Sequence, residues 1–255
     1  MLSPEWLSAF VPVGTLNGAD TWQPLGAGVL FHAPPFVWLV TANHVIKDAG
    51  AERVAVLVSL RSGGVAVIDL TSVYKYGDLS WIRDSSRDLA IGPMPLAPEW
   101  NIKAVGEDLC MKLEEVSPSM QCFTVGCPYG VPGLDPQRAT PLVLDGVVAG
   151  TNPATRSIYI SAPTFPGNSG GPILVVRVPY SPSGGSTVGR PTVLLAGIVR
   201  ETALVQGSGE SQPIPPLHLG VGISITAAIE MLQSPEAAEL ARKVAQAVPN
   251  NASGK

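Results

Sequence analysis

The apolar positions of this chain come in short runs and alternations rather than in long helical periods. Residues 1–24 read as irregular apart from a short first strand at 10–13, and residues 26–32 and 36–40 follow as a hairpin around Ala33-Pro34-Pro35. Residues 53–60 form a strand, Gly63-Gly64 a turn, and residues 65–73 the returning strand. Trp81-Ile82 and Asp88-Leu89-Ala90-Ile91 add two more, which makes about six in the first half. Residues 93–115 carry prolines and charges with little alternation and read as a connection. The second half repeats the style, with strands at 120–125, 141–149, 157–161, 172–178, 192–199 and 219–225. Two long polar loops, 180–191 and 206–216, interrupt it, and loops of this length often carry function.

Helical signals are few. A short turn is predicted over residues 44–48, closed by Gly50. A helix is predicted over 227–233 and another from Ser234 onward. There Ser234 is the N-cap, Pro235 the first helical residue and Glu236 a carboxylate near the positive end of the helix dipole. Leu240, Val244 and Val248 recur at helical spacing as its buried face.

Composition narrows the picture. At 255 residues, 45% hydrophobic and 14% charged, the chain can bury a substantial core and is not disordered. Its 27 glycines and 25 prolines follow no fixed period, which excludes collagen and fits many turns. The net charge is −4 and no basic run exceeds two residues, so no nucleic-acid partner is expected. Three cysteines, Cys110, Cys122 and Cys127, make no disulfide framework and are expected to be buried thiols. The Cys122–Cys127 spacing has no second pair and no nearby histidine, so neither a metal nor another cofactor is expected. No stretch of ~18 apolar residues is present, so no membrane span is expected. The start, MLSPEWLSAFVPVG, lacks the basic and apolar regions of a signal peptide and predicts a cytoplasmic protein. A secreted protein whose leader had been removed would read the same way. Without a secretory route the sequon Asn251-Ala252-Ser253 carries little weight.

The candidate chemistry centres on Phe165-Pro166-Gly167-Asn168-Ser169-Gly170-Gly171-Pro172. Glycines around one serine let the backbone turn sharply, hold Oγ out and leave N–H groups unpaired, as an oxyanion hole requires. By itself such a stretch is more often a plain turn before a buried strand. A nucleophilic serine needs a base and an orienting acid. Of the three histidines, His32 lies in strand alternation and His218 in a loop. His44 follows an apolar strand at a strand-to-helix corner. Asp88 borders an apolar strand and needs a partner there, because a buried carboxylate is costly alone. Asp78 and Asp84 have more polar surroundings.

TANHV around His44, RDLAI around Asp88 and PGNSGGP around Ser169 resemble, in this order, the three motifs of the chymotrypsin/trypsin-like serine protease superfamily. VGCPYG at 125–130 and AGIV at 196–199 are similar to HtrA-type and glutamyl-endopeptidase-like enzymes, and no PDZ-sized segment follows. The resemblance covers roughly residues 10–232. It implies two six-stranded antiparallel β-barrels with a C-terminal helix. Residues 1–108 would carry His44 and Asp88, residues 109–225 Ser169, and residues 226–255 a helical extension. It implies a serine endopeptidase with the triad His44, Asp88 and Ser169 and an oxyanion hole at Gly167 and Ser169. The specificity pocket would have Pro163 and Thr164 at its floor, with walls from Arg200, Glu201 and Thr202 and from Gly220 and Gly222.

Two departures matter. Asn168 stands where trypsin-type zymogens have an aspartate, so activation by a new N-terminal amine is not expected. The pocket floor has no acid, so cleavage is expected after small or medium apolar residues and not after Lys or Arg. Arg200 either attracts acidic side chains or turns toward Asp88. The expected partner is a protein or peptide substrate, with room for an activating protein. The competing readings are a catalytically silent binding module of the same fold and a nucleic-acid-binding barrel, the latter disfavoured by the acidic balance.

Overall fold

The computed structural model describes residues 3–18, 20–50, 52–127, 141–179, 189–202 and 219–247. Most of the two polar loops, residues 128–130 of the VGCPYG stretch, His218, Val248 and the sequon lie outside them.

The first half opens with a short helix, α1 (Pro4–Ser8), and continues through β1 (Phe10–Leu16), β2 (Trp22–Ala33) and β3 (Phe36–Ala42). Helix α2 (Asn43–Asp48) follows directly, and then β4 (Arg53–Ser59), β5 (Val65–Asp69), α3 (Leu70–Gly77), β6 (Ile82–Asp84) and β7 (Leu89–Pro93). The strands form one antiparallel seven-stranded sheet in the order β5-β4-β1-β2-β3-β7-β6.

After two 3₁₀ turns, Glu107–Leu109 and Leu113–Glu115, the second half contributes β8 (Gln121–Gly126), β9 (Leu142–Asn152), β10 (Ser157–Ile160), β11 (Pro172–Arg177), β12 (Thr192–Thr202) and β13 (Gly220–Ser224). These six close into a barrel, β10-β13-β12-β11-β8-β9, in which β13 is the strand that joins β10 to β12. Helices α4 (Ile225–Leu232) and α5 (Pro235–Ala247) end the described chain. The architecture is mostly β, with a closed barrel, a second antiparallel sheet and C-terminal helices, consistent with a chymotrypsin-like fold.

Two helices depart from the sequence expectation. The strand predicted over 65–73 stops at Asp69, whose carboxylate caps α3 by accepting the Ser72 N–H at 2.9 Å. Leu70 and Tyr74, one helical turn apart, bury the inner face of α3. The irregular start contains α1, capped by Ser3 with Pro4 in its first turn.

Three large apolar clusters, beside a small fourth formed by Leu16, Trp22, Ala55 and Leu57, hold the fold. Val13, Leu30, Leu39, Val56 and Leu70 fill one side of the first sheet. Met111, Cys122, Ile158, Ile173 and Val175 fill the barrel. The third joins the halves: Phe31, Trp38, Leu89 and Ile91 of the sheet pack with Leu174, Leu195 and Ile223 of the barrel and with Ile225, Met231 and Leu240 of α4 and α5. Each such side chain, fully buried, contributes ~1.5–3 kcal/mol, so the C-terminal helices help to seal the seam. The cysteines are free thiols, Cys122 buried and the other two half-buried. Burial pushes each of the three up to about 12. Among the described residues no helix is long and apolar enough to cross a membrane, and no group of three or more His, Cys, Asp or Glu could hold a metal.

Candidate active site

His44 stands in the first turn of α2, immediately after the buried strand β3. Its ring Nδ1 lies 2.8 Å from Asp88 Oδ2, and its backbone N–H donates to Asp88 Oδ1 at 2.9 Å. The Asn43 N–H donates to the Asp88 carbonyl at 3.0 Å. One aspartate thereby fixes both the ring and the start of the helix that carries it. Asp88 takes a left-handed backbone, φ +56°, which few non-glycine residues adopt. Its side chain is 14% exposed against 35% for His44. The hydrogen bond to Asp88 raises the His44 pKa above 6.5. Burial opposes it, and the negative charges of Asp88, Asp48 and Glu201 reinforce it.

Ser169 lies at the end of a tight turn. The Asn168 N–H donates to the Phe165 carbonyl at 2.9 Å, and Gly167 has φ +98°. A proline at the second position and a positive-φ glycine at the third make this a type II turn. Among the described residues neither the Gly167 nor the Ser169 N–H has a hydrogen-bond partner. Gly170 lets the loop approach the other sheet. A Cβ there would lie 2.0 Å from the Ala27 carbonyl oxygen and 2.3 Å from Thr41 Oγ1. The approach is secured by the Ala27 N–H, which donates to the Ser169 carbonyl at 2.8 Å. Asn168 is 1% exposed, and among the described residues neither end of its amide has a hydrogen-bond partner.

The barrel's contribution to the cleft is β12. Its pairing with β13 shifts register between Val199 and Glu201, leaving Arg200 in a β-bulge. Bulges re-aim side chains and are frequent beside active sites. Here the Arg200 carbonyl accepts the Ser169 hydroxyl at 3.2 Å, while its guanidinium Nε lies 3.9 Å from Asp88 Oδ2 and 3.3 Å from Glu201 Oε1. The guanidinium thus lies nearer Glu201 than Asp88 and also lines the cleft.

A cleft of about 1070 Å³ collects His44, Asp88, Thr164, Gly167, Ser169, Arg200 and Glu201. Pro163, Thr202, Gly220 and Gly222 are not among its lining residues. A Cβ at Gly222 would lie 2.1 Å from Ile173 Cδ1, so that position faces the barrel core. Asn43 and Phe165, members of the His44 and Ser169 motifs, also line the cleft, as does Arg83, which the sequence did not single out. Arg83 Nε donates to Asn43 Oδ1 at 2.6 Å, so these two polar groups satisfy each other across the cleft wall. His32 is exposed on β2 and is not among the lining residues.

A histidine paired to a carboxylate and a glycine-flanked serine, meeting in a cleft between an antiparallel sheet and a closed barrel, place the chain in the chymotrypsin-like class of folds. A family model described as the trypsin-like peptidase domain matches residues 26–177, and the chain belongs to that family. The match contains His44, Asp88 and Ser169 and ends in β11, so the bulged wall at Arg200 lies beyond it. No curated protein matches the chain at a significant level.

Proposed function

We propose that the protein is a serine endopeptidase acting through Ser169, His44 and Asp88. The observation that carries this is the two-point hold of Asp88 on His44, through Nδ1 and through the backbone N–H, in the cleft that also presents Ser169. With Nδ1 donating to Asp88, the lone pair of Nε2 is free to take a proton. His44 accepts the Ser169 proton as Oγ attacks the scissile carbonyl, then gives it to the leaving amine. The Gly167 and Ser169 N–H groups stabilise the developing oxyanion. Water releases the acyl-enzyme by the same steps in reverse. On this reading residues 1–108 form the unit carrying base and acid, residues 109–225 the unit carrying the nucleophile, and residues 226–255 the extension.

The pocket for the residue before the scissile bond is shallow on this reading. The space above Gly220 is taken by the Thr164 methyl and by Ile160, whose nearest atoms lie 2.7 and 2.9 Å from a Cβ built there. Small or medium apolar side chains fit, and discrimination among them is weak, since one methylene is worth about 1–3 kcal/mol. A peptide-library profile checks this, and a predominance of Arg and Lys refutes the pocket.

A catalytically silent binder is the second reading. It is favoured by one observation, the Ser169 hydroxyl's hydrogen bond to the Arg200 carbonyl. A serine-reactive fluorophosphonate decides between them. Labelling that disappears in Ser169→Ala supports the enzyme, and absence of labelling together with absence of peptide hydrolysis supports the binder.

A further inference from the structure

Asp88 cannot take its place in the site by its side chain alone. Its carbonyl meets the Asn43 N–H and its carboxylate meets both His44 groups with the backbone in the left-handed conformation. Such conformations persist where the surroundings over-determine them. Upstream, the Asp84 carboxylate accepts the N–H groups of Ser86 and Arg87 at 2.9 and 3.0 Å, the Ser86 hydroxyl at 2.6 Å and Arg87 Nε at 2.6 Å. The Arg87 guanidinium also reaches out of the turn: Nη1 lies 2.9 Å from Glu230 Oε2 on α4. The other Glu230 oxygen pairs with Arg156 Nη2 at 2.7 Å. Arg156 sits in the turn between β9 and β10, itself left-handed at φ +56°, and its carbonyl accepts the Ser224 N–H at 2.9 Å, where Ser224 caps α4.

We propose that Arg87, Glu230 and Arg156 form a clamp that positions Asp88, making α4 part of the framework of the active site. The three are positioning residues, because none touches the reacting atoms. The proposal rests on the reading of Asp88 as the acid that orients His44. Arg87, Arg156 and Glu230 are 30%, 37% and 40% exposed, and ion pairs this open to water add little to stability by themselves. Their consequence is geometric. One carboxylate, gripped by a guanidinium on each oxygen, ties the residue before Asp88 to the half of the molecule that carries Ser169.

The test is Glu230→Gln in the full chain. Three quantities are read: peptide hydrolysis, melting temperature and the downfield proton resonance of His44 Nδ1–H. The expected result is a kcat about tenfold lower with KM within about twofold, a broadened or lost resonance and a nearly unchanged melting temperature. Arg87→Met should match it, and Arg87→Lys, which keeps the charge, should recover part of both signals. Glu236→Gln, one helix on and outside the network, should leave kcat and the resonance unchanged. The proposal is overturned if Glu230→Gln and Arg87→Met keep the wild-type kcat and resonance. It is equally overturned if the melting temperature falls and kcat merely tracks the folded fraction. If the wild-type protein hydrolyses no peptide, the reading of the site fails separately, and the His44 resonance still reports on the clamp.

Discussion

At the scale of single residues, the proposed chemistry is controlled by how tightly His44 holds a proton. Only the neutral ring can accept from Ser169, and the Asp88 hydrogen bond raises the pKa above 6.5. The acid limb of kcat/KM should therefore have its midpoint above pH 6.5, and activity should rise with pH through it. Glu201→Gln removes one of the charges that favour the imidazolium, so it should move that limb to lower pH. A rate flat from about pH 5 to 8 with chemistry limiting contradicts the assignment. Ser169→Ala and His44→Ala should each lower kcat by on the order of 10⁴–10⁶, with the double variant little worse, because the groups act as a unit. Asp88→Asn should be severe and Asp78→Asn mild, since the Asp78 side chain is almost fully exposed and paired with Lys243. Asn168 gives a prediction of another kind. Among the described residues its buried amide has no hydrogen-bond partner, so Asn168→Asp places an uncompensated charge in the core. The expected loss is ~3–5 kcal/mol at neutral pH. Neutral aspartic acid resembles the amide, so the deficit in melting temperature should shrink as pH falls toward about 4. That His44, Asp88 and Ser169 share one cleft could be anticipated in sequence because each borders an apolar strand within a distinctive motif. The aim of Arg200 could not, because a bulge is set by the pairing of β12 with β13, and the sequence of β12 alone does not show it.

At the scale of elements, the turn at residues 165–168 decides whether an oxyanion hole exists. Type II geometry needs a positive φ at the third residue, and rotating the Pro166–Gly167 peptide to type I would present a carbonyl where the N–H now stands. Gly167→Ala should strain this turn by on the order of 1–2 kcal/mol and lower kcat by up to ~10²–10³ if the donor is lost. Wild-type kcat in that variant, measured with saturating peptide, would exclude the Gly167 N–H from the reaction. The strands of both halves were readable from alternation, as was α5 from its Ser-Pro-Glu start. The same triplet opens α1 as Ser3-Pro4-Glu5, a signal passed over because only one helical turn follows it. Helix α3 was hidden for a different reason. Val65 to Val73 keeps a strand-like composition across the Asp69 cap, and only contact with the sheet makes Leu70 and Tyr74 one face.

At the scale of the whole molecule, the site exists only where the two halves meet. Among the contacts that hold them there are the Ala27–Ser169 hydrogen bond, the close passage of Gly170 over Ala27 and Thr41, and the apolar seam closed by α4 and α5. Gly170→Ala should force them apart, with an expected stability loss of about 1–3 kcal/mol and a larger fall in kcat than in melting behaviour would account for. Denaturation monitored alongside fluorophosphonate labelling checks both. The motif order gave the pairing of halves, but the seam depends on which faces of two sheets and two helices become buried together, a property of the assembled surfaces.

The place of β13 has a consequence for the newly made chain. On the proposed reading the base and acid are synthesised first and the nucleophile much later, yet the barrel behind Ser169 stays open until Gly220–Ser224 slots between β10 and β12. A chain still leaving the ribosome without that strand has all three reactive side chains and no wall to hold them in register. On that reading, a chain that stops before Gly220 should hydrolyse no peptide, because peptide cleavage waits for the strand that completes the barrel.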